Sequence, residues 1–114
     1  MEKLPKDIYR QCVAIAGSYY TLLARRKELN CAISNRQAHE LERFSPPHLR
    51  TEWKIRCIER ALEQVTDTTE MEFVRKNVFE HMRMHHIDLP LSVRTMKRVR
   101  RRYIYTLAKE LGEI

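Results

Sequence analysis

The sequence predicts an all-α protein of about four helices. The 114 residues include only two glycines and four prolines, which leaves little material for the turns of a sheet. Apolar residues recur at intervals of three and four along most of the chain, as they do on one side of a helix. Charged residues make up 32% and hydrophobic residues 43%, a balance typical of a folded chain. The length suits a single helical domain over 1–114.

The first predicted helix covers residues 5–29, so that most of the segment 1–29 is one long helix. Pro5 has the fixed φ that suits a first helical turn. An apolar stripe at helical spacing follows it: Ile8, Cys12, Ile15, Ala16, Tyr19, Leu22 and Leu23. This stripe is wide enough to cover the other helices or to pair with a second copy, so a homodimer is one alternative.

Residues 30–47 are predicted to form a polar loop, with room for a short helical turn over 37–44. The loop ends in a Ser-Pro-Pro sequence, which stops any preceding helix. A second helix is predicted over 48–65, within a helical bundle that covers 48–112. Its expected inward-facing residues are Leu49, Trp53, Ile58, Ala61, Leu62 and Val65. Trp53 is interpreted as a core anchor.

A third helix is predicted over about 70–84. Thr69 and Glu72 have the spacing of a capping box, in which each side chain bonds the backbone of the other. The residues expected to face the core are Met71, Val74, Val78 and Met82, with Phe79 as a second core anchor.

The fourth predicted helix, 92–111, has two contrasting faces. Ser92 is a good N-cap, and Gly112 is placed to end the helix. One face is apolar: Val93, Met96, Val99, Tyr103, Ile104, Leu107 and Leu111. With a connection of about seven residues, the third and fourth helices form a helix-turn-helix-like pair. The basic fourth helix would be its recognition helix.

Charge is concentrated in this last segment. The chain carries a net charge of +7, and residues 92–114 hold seven Lys or Arg residues against two glutamates. Cations crowded on one solvated face repel each other, and a polyanion such as double-stranded DNA relieves the repulsion. The residues expected near base edges are Ser92, Arg94, Thr95, Lys97 and Arg98, and those expected at phosphates are Arg101, Arg102 and Tyr105. Arg100 falls near the apolar face, so we expect an internal partner such as a glutamate.

Other kinds of chemistry find little support. The three cysteines lack the spacing of a zinc or redox site, which predicts reduced and mostly buried thiols. His81 and His85 lie four apart on the third predicted helix, but no nearby carboxylate or thiolate completes a metal site. No motif of a phosphate-binding loop or a hydrolase is present. We therefore expect no enzyme activity, catalytic residue, metal or cofactor. No apolar run has the length of a signal peptide or membrane span, which predicts a cytoplasmic protein.

Three segments resemble the RinA-type phage transcriptional activators. Lys3-Leu4-Pro5-Lys6, leading into a helix that carries Tyr19-Tyr20, is similar to the start of that family. Ile58-Glu59-Arg60-Ala61-Leu62, followed by the Phe73–Val78 segment, resembles its middle. The most telling part is the last one, where Arg98-Val-Arg-Arg-Arg-Tyr-Ile-Tyr-Thr-Leu-Ala-Lys-Glu-Leu-Gly112-Glu-Ile resembles the family's ending. The resemblance spans most of the chain except the loop 30–47.

The resemblance implies a DNA-binding regulator that activates phage or prophage genes in a bacterial cytoplasm. A remoter likeness of the C-terminal part to region four of sigma factors implies that RNA polymerase is a further candidate partner. Two alternatives stay open. One is a DNA-packaging protein such as a small terminase subunit, in which similar helices assemble a ring. The other is a module whose basic face binds an acidic protein.

Overall fold

The computed structural model describes residues 3–35 and 46–114. Within those ranges the protein is all α-helical, as predicted, with no β-strand. Five α-helices are found there instead of about four: α1 Lys6–Gly17, α2 Tyr19–Asn35, α3 Pro46–Glu63, α4 Thr68–Val74 and α5 Val93–Glu110. A π-helical turn, Arg75–Phe79, continues α4, and a 3₁₀ turn covers Met84–His86. The helical turn suggested over 37–44 lies outside the described residues.

The prediction of one helix over 5–29 is wrong, because the helix is interrupted at Gly17 and Ser18. The Ser18 hydroxyl donates to the Ile15 carbonyl oxygen at 2.7 Å, a local bond that competes with the regular helical pattern. The ring of His81 packs against Gly17, where an added Cβ would lie 2.7 Å from the imidazole Cε1. Gly17 therefore allows a close approach that alanine would block.

Both ends of the polar loop predicted over 30–47 are helical instead, and the rest of it, 36–45, lies outside the described residues. Helix α2 continues to Asn35, and α3 begins at Pro46. A proline fits the first turn of a helix because its missing N–H would have no intrahelical partner there. The same prolines that stop a preceding helix therefore begin the next one.

The inward face predicted for the start of α3 is wrong. Leu49 is 48% exposed and Trp53 47% exposed, so Trp53 is not a core anchor. Ile55 is buried in their place, together with Thr51. These two residues share one face with Ile58, which is buried as predicted, whereas Leu49 and Trp53 lie nearly half a turn away.

The third predicted helix is shorter than expected and starts from a different cap. The carboxylate of Asp67 accepts from the backbone N–H groups of Thr69 and Glu70, so Asp67 replaces the predicted capping box of Thr69 and Glu72. The helical segment ends at Phe79, before the predicted residue 84. His81 follows with φ of 59°, a left-handed conformation that reverses the chain.

Helices α2 and α3 pack as an antiparallel pair held by polar contacts as well as apolar ones. The Tyr19 hydroxyl donates to Glu59 Oε2 at 2.7 Å, and Arg26 forms a salt bridge of 3.7 Å with Glu52. Burial and the bond to Glu59 raise the pKa of Tyr19 to about 12. The two contacts fix the register of the pair.

The core is assembled around the inner face of α5. Tyr103, Ile104 and Leu107 are almost fully buried, and α5 packs mainly on α3 and α1. Phe79 is buried as predicted and stacks near Tyr103, with ring centroids 6.0 Å apart. Of the three reduced cysteines, Cys31 is exposed and the other two are buried, in line with the predicted mostly buried thiols.

Candidate nucleic-acid interface

Helix α5 starts and ends where the sequence predicts. The Ser92 Oγ accepts from the Thr95 backbone N–H at 3.1 Å and donates to Thr95 Oγ1 at 2.9 Å, which confirms the predicted N-cap. Gly112 has φ of 78°, and the bonds from its N–H and that of Glu113 back to the carbonyl oxygens of Lys109 and Ala108 close the helix. Both ends of the helix are therefore fixed by local bonds.

The inner face of α5 holds the helix against the bundle. Met96, Val99 and Tyr103 are buried, and the Tyr103 hydroxyl donates to the Ile58 carbonyl oxygen of α3 at 3.1 Å. Burial raises the pKa of Tyr103 far above its ordinary value, so this hydroxyl stays a hydrogen-bond donor. Val93, predicted on this face, is instead 50% exposed because the helix begins there, beyond the covering elements. The buried residues of α5 therefore determine which face of the helix points to solvent.

The outer face of α5 presents the cations that the sequence predicts. All five are exposed: Arg94, Lys97, Arg98, Arg101 and Arg102. The salt bridges in the described ranges are Arg26–Glu52 and Lys76–Glu72, so none of these five has a carboxylate partner there. Their positive charge therefore faces solvent and is open to an external anion.

A basic groove runs along the first half of this face. It has a volume of about 380 Å³ and is lined by Arg94, Thr95, Lys97, Arg98 and Arg101. Thr95 is half-buried and is held by the Ser92 cap, whereas the cations around it are exposed. The groove therefore brings together five of the eight predicted site residues, four of them cations, along the first half of α5.

Arg100 is the cation of α5 that points inward. Its Nη1 donates to Asn77 Oδ1 at 2.6 Å, and its Nε donates to the Tyr9 hydroxyl at 3.3 Å. The predicted internal partner is present, but it is an amide and a phenol rather than a glutamate. Asn77 is itself held by a bond from its Nδ2 to the Met82 carbonyl oxygen at 2.9 Å. Arg100 thus joins α1, the π-helical turn and α5.

Tyr105 lies at the far end of the predicted site and is half-buried. The ammonium group of Lys109 is 5.7 Å from the centre of its ring, a cation–π distance. The tyrosine lines a second cleft and not the groove that Arg94 and Lys97 line. Tyr105 therefore belongs to the side of α5 that faces α1.

This second cleft contains cations that the sequence-based prediction missed. It has a volume of about 330 Å³, and Lys3, Lys6 and Arg10 meet Arg101 in it, beside the rings of Tyr9 and Tyr105. The sequence signal was the spacing of four between Lys6 and Arg10, which places these two cations on one side of a helix. Only the packing of α1 on α5 reveals that this side adjoins the basic face.

The connection between α4 and α5 differs from a tight helix-turn-helix. The sequence predicts a connection of about seven residues, but all of residues 80–92 separate the π-helical turn from α5. Helix α4 contacts α5, but α3 and α1 cover more of it. The helix-turn-helix-like pair stays a prediction.

The histidines do not share a helical face. His81 follows the end of the helical segment, and its Nε2 lies 2.8 Å from the Gly17 carbonyl oxygen, while His85 lies in the 3₁₀ turn. Within 3–35 and 46–114, no group of three or more His, Cys, Asp or Glu residues could hold a metal ion. The prediction that His81 and His85 lie on one helix is wrong.

Comparisons with protein-family models, with curated proteins and with solved structures find no match to this chain. Among the described helices, none is both long enough and apolar enough to cross a membrane. The function of the site has to be inferred from its own charge and geometry.

Proposed function

We propose that this protein is a DNA-binding transcriptional regulator, a phage or prophage activator that binds promoter DNA through α5. The observation that carries the proposal is the outer face of α5, where five exposed cations lack carboxylate partners in the described ranges. Such a face is stabilised by a polyanion, and the major groove of DNA admits a single α-helix. The resemblance of the segment 98–112 to the ending of the RinA-type activators points to the same function.

The N-terminal half of α5 is the part suited to reading bases. In a helix-turn-helix-like arrangement, the first turns of the second helix reach base edges. Those turns carry Ser92, Arg94, Thr95, Lys97 and Arg98. An arginine can bind guanine through two hydrogen bonds, which contributes about 1–3 kcal/mol of discrimination.

The second half of the site is suited to binding phosphates. Arg101 and Arg102 lie one turn further along, and Tyr105 offers a hydroxyl at the edge of the face. Contacts to phosphates fix the position of a protein on the duplex without reading sequence. The likeness to region four of sigma factors adds RNA polymerase as a proposed partner of the DNA-bound protein.

The test is fluorescence anisotropy of two labelled duplexes across 50–300 mM salt, over which the Debye length falls from about 14 Å to about 6 Å. One duplex is selected by the full chain from a randomised library, and the other is its scrambled counterpart. A difference in affinity of about a thousandfold or more supports a sequence-reading regulator. Equal and steeply salt-dependent binding supports a packaging role instead, and no binding at low salt overturns the proposal.

Two variants separate reading from phosphate binding. Arg98→Ala is expected to weaken binding to the selected duplex by about 1–3 kcal/mol and to relax preference at one base pair. Arg102→Ala is expected to weaken both duplexes alike and to reduce the salt slope by about 0.9. Arg56→Ala, which removes an exposed cation from α3, is the matched control and should change neither. Identical behaviour of Arg98→Ala and Arg102→Ala on the two duplexes would contradict these roles.

A further inference from the structure

We propose that the start of α1 forms a second DNA-contact surface, in which the cleft between α1 and α5 binds backbone phosphates beside the segment that α5 reads. The inference rests on the proposed function. Its central observation is that cations from two separate elements meet in one cleft: Lys3, Lys6 and Arg10 from the start of the chain, and Arg101 from α5.

Two cations of α1, Lys6 and Arg10, are four residues apart and so lie on one side of the helix. Lys3 lies in the non-helical segment before α1 and lines the same cleft. Each of the three is exposed. In the described part of the chain, no carboxylate lines the cleft and none pairs with these cations. They form a positive strip without salt bridges among the described residues, as the outer face of α5 does.

The cleft and the groove of α5 adjoin each other at Arg101. Arg101 lines both of them, with Arg98 on one side and Arg10 on the other. A duplex seated against α5 therefore brings its flanking phosphates toward α1. The arrangement joins a base-reading segment to a phosphate-binding flank, which is the common division of contacts in DNA-binding proteins.

The α1 side of the cleft is held in place by the core. Cys12 and Ala16 of α1 are fully buried, and the Tyr9 hydroxyl accepts from Arg100 Nε at 3.3 Å. Because the Tyr9 oxygen accepts that bond, its own proton is left to donate into the cleft. A phosphodiester oxygen is an acceptor that suits both this hydroxyl and the surrounding cations. The binding geometry is thus formed before DNA arrives.

The test compares the full chain with the variant Lys3→Gln/Lys6→Gln/Arg10→Gln on the selected duplex in a long form and in a form trimmed to the segment that α5 reads. On the long duplex the variant is expected to lower the log–log salt slope by up to about 2.7, since each lost phosphate contact contributes about 0.9. On the trimmed duplex the two proteins should bind alike. The ratio of affinities for selected and scrambled sequences should not change, because phosphate contacts carry no sequence information.

A charge-matched control is Lys27→Gln/Arg56→Gln/Arg60→Gln, which removes three exposed cations from α2 and α3. It should leave the difference between long and trimmed duplexes as in the unmodified chain. A second measurement uses the unmodified chain alone: acetylation of Lys3 and Lys6 should be slowed by the long duplex and not by the trimmed one.

The outcomes distinguish this inference from the proposed function. If the unmodified chain prefers the selected duplex but the α1 variant keeps the full salt slope, the α1 surface is overturned and the regulator stands. If the unmodified chain binds no DNA, both are overturned. If adenosine monophosphate protects the α1 lysines while DNA does not, the cleft is a site for free nucleotides, and the DNA-contact surface is wrong.

Discussion

Helices α3 and α5 are both 18 residues long and pack against each other, yet their charges are arranged in different ways. Helix α3 contains four Lys or Arg residues and three glutamates, whereas α5 contains seven Lys or Arg residues and one glutamate. Two glutamates of α3, Glu52 and Glu59, bond to residues of α2. The charges of α3 thus take part in packing the helices, while those on the outer face of α5 do not.

Amphipathicity alone therefore does not identify a DNA-binding helix. Both helices bury one face, and α3 even exposes Trp53 on the other. What distinguishes α5 is that like charges repeat at intervals of four, as in Arg94, Arg98 and Arg102, without acidic residues between them. Such a spacing disfavours an isolated helix, so burial of the inner face has to stabilise it.

The largest expected effect comes from the inner face of α5. Leu107 is fully buried, and Leu107→Ala is expected to lower the free energy of unfolding by about 2–5 kcal/mol, through lost apolar burial and the cavity left behind. Trp53→Ala on the exposed side of α3 is the control, and a smaller loss of up to about 2 kcal/mol is expected because half of its surface already faces solvent. Denaturant unfolding followed by circular dichroism measures both. Equal losses would mean that the exposed side of α3 is covered in solution.

The ends and direction of α5 could be predicted from the sequence because they depend on local chemistry. Ser92 bonds within its own first turn, and Gly112 relieves the strain of a positive φ. The predicted helix 92–111 therefore matches Val93–Glu110 closely. The apolar stripe is also wide enough to specify a single inner face.

The errors lie where distant contacts decide the outcome. The sequence offered two apolar stripes at the start of α3, and packing against α2 and α5 selected the one with Ile55 over the one with Trp53. The close packing at Gly17, next to the interruption at Ser18, involves the ring of His81, 64 positions away in the chain. The partner of Arg100 depends on a π-helical turn that periodicity does not reveal. Lys3, Lys6 and Arg10 can be assigned to the site only from their placement beside Arg101.

The adjacent residues Arg100 and Arg101 differ in the same way as the two helices, because Arg100 bonds within the protein and Arg101 faces solvent. The expected change in stability is intermediate in size. Arg100→Gln removes the donors to Asn77 and Tyr9 and leaves a buried amide oxygen without its partner, which is expected to cost about 1–3 kcal/mol of stability. Arg101→Gln removes an exposed cation and should change stability by less than about 0.5 kcal/mol while weakening DNA binding. Thermal unfolding and anisotropy, measured on both variants, check the separation. A stable Arg100→Gln protein would show that the internal network contributes little.

The smallest expected changes in stability come from removing one charge from each helix, and they have opposite signs. Glu52→Gln removes the salt bridge from α3 to Arg26, whose two side chains are 34% and 39% exposed, and should lower stability by at most about 1 kcal/mol. Arg98→Gln removes repulsion from Arg94 and Arg102, each four residues away, and should raise stability by about 0.4–1 kcal/mol at low salt. Glutamine and arginine have similar helix propensities, so the backbone contribution is nearly constant. Thermal unfolding at low and high salt measures both changes.

High salt should diminish the gain from Arg98→Gln, because screening reduces the repulsion that the substitution removes. The same variant is expected to bind the selected duplex more weakly, so that one substitution makes the free protein more stable and the DNA complex less so. A fall in stability at low salt would mean that Arg98 is compensated within the protein. In that case Arg98 would support the fold, as the charges of α3 do, and the difference between the two helices would not hold at this residue.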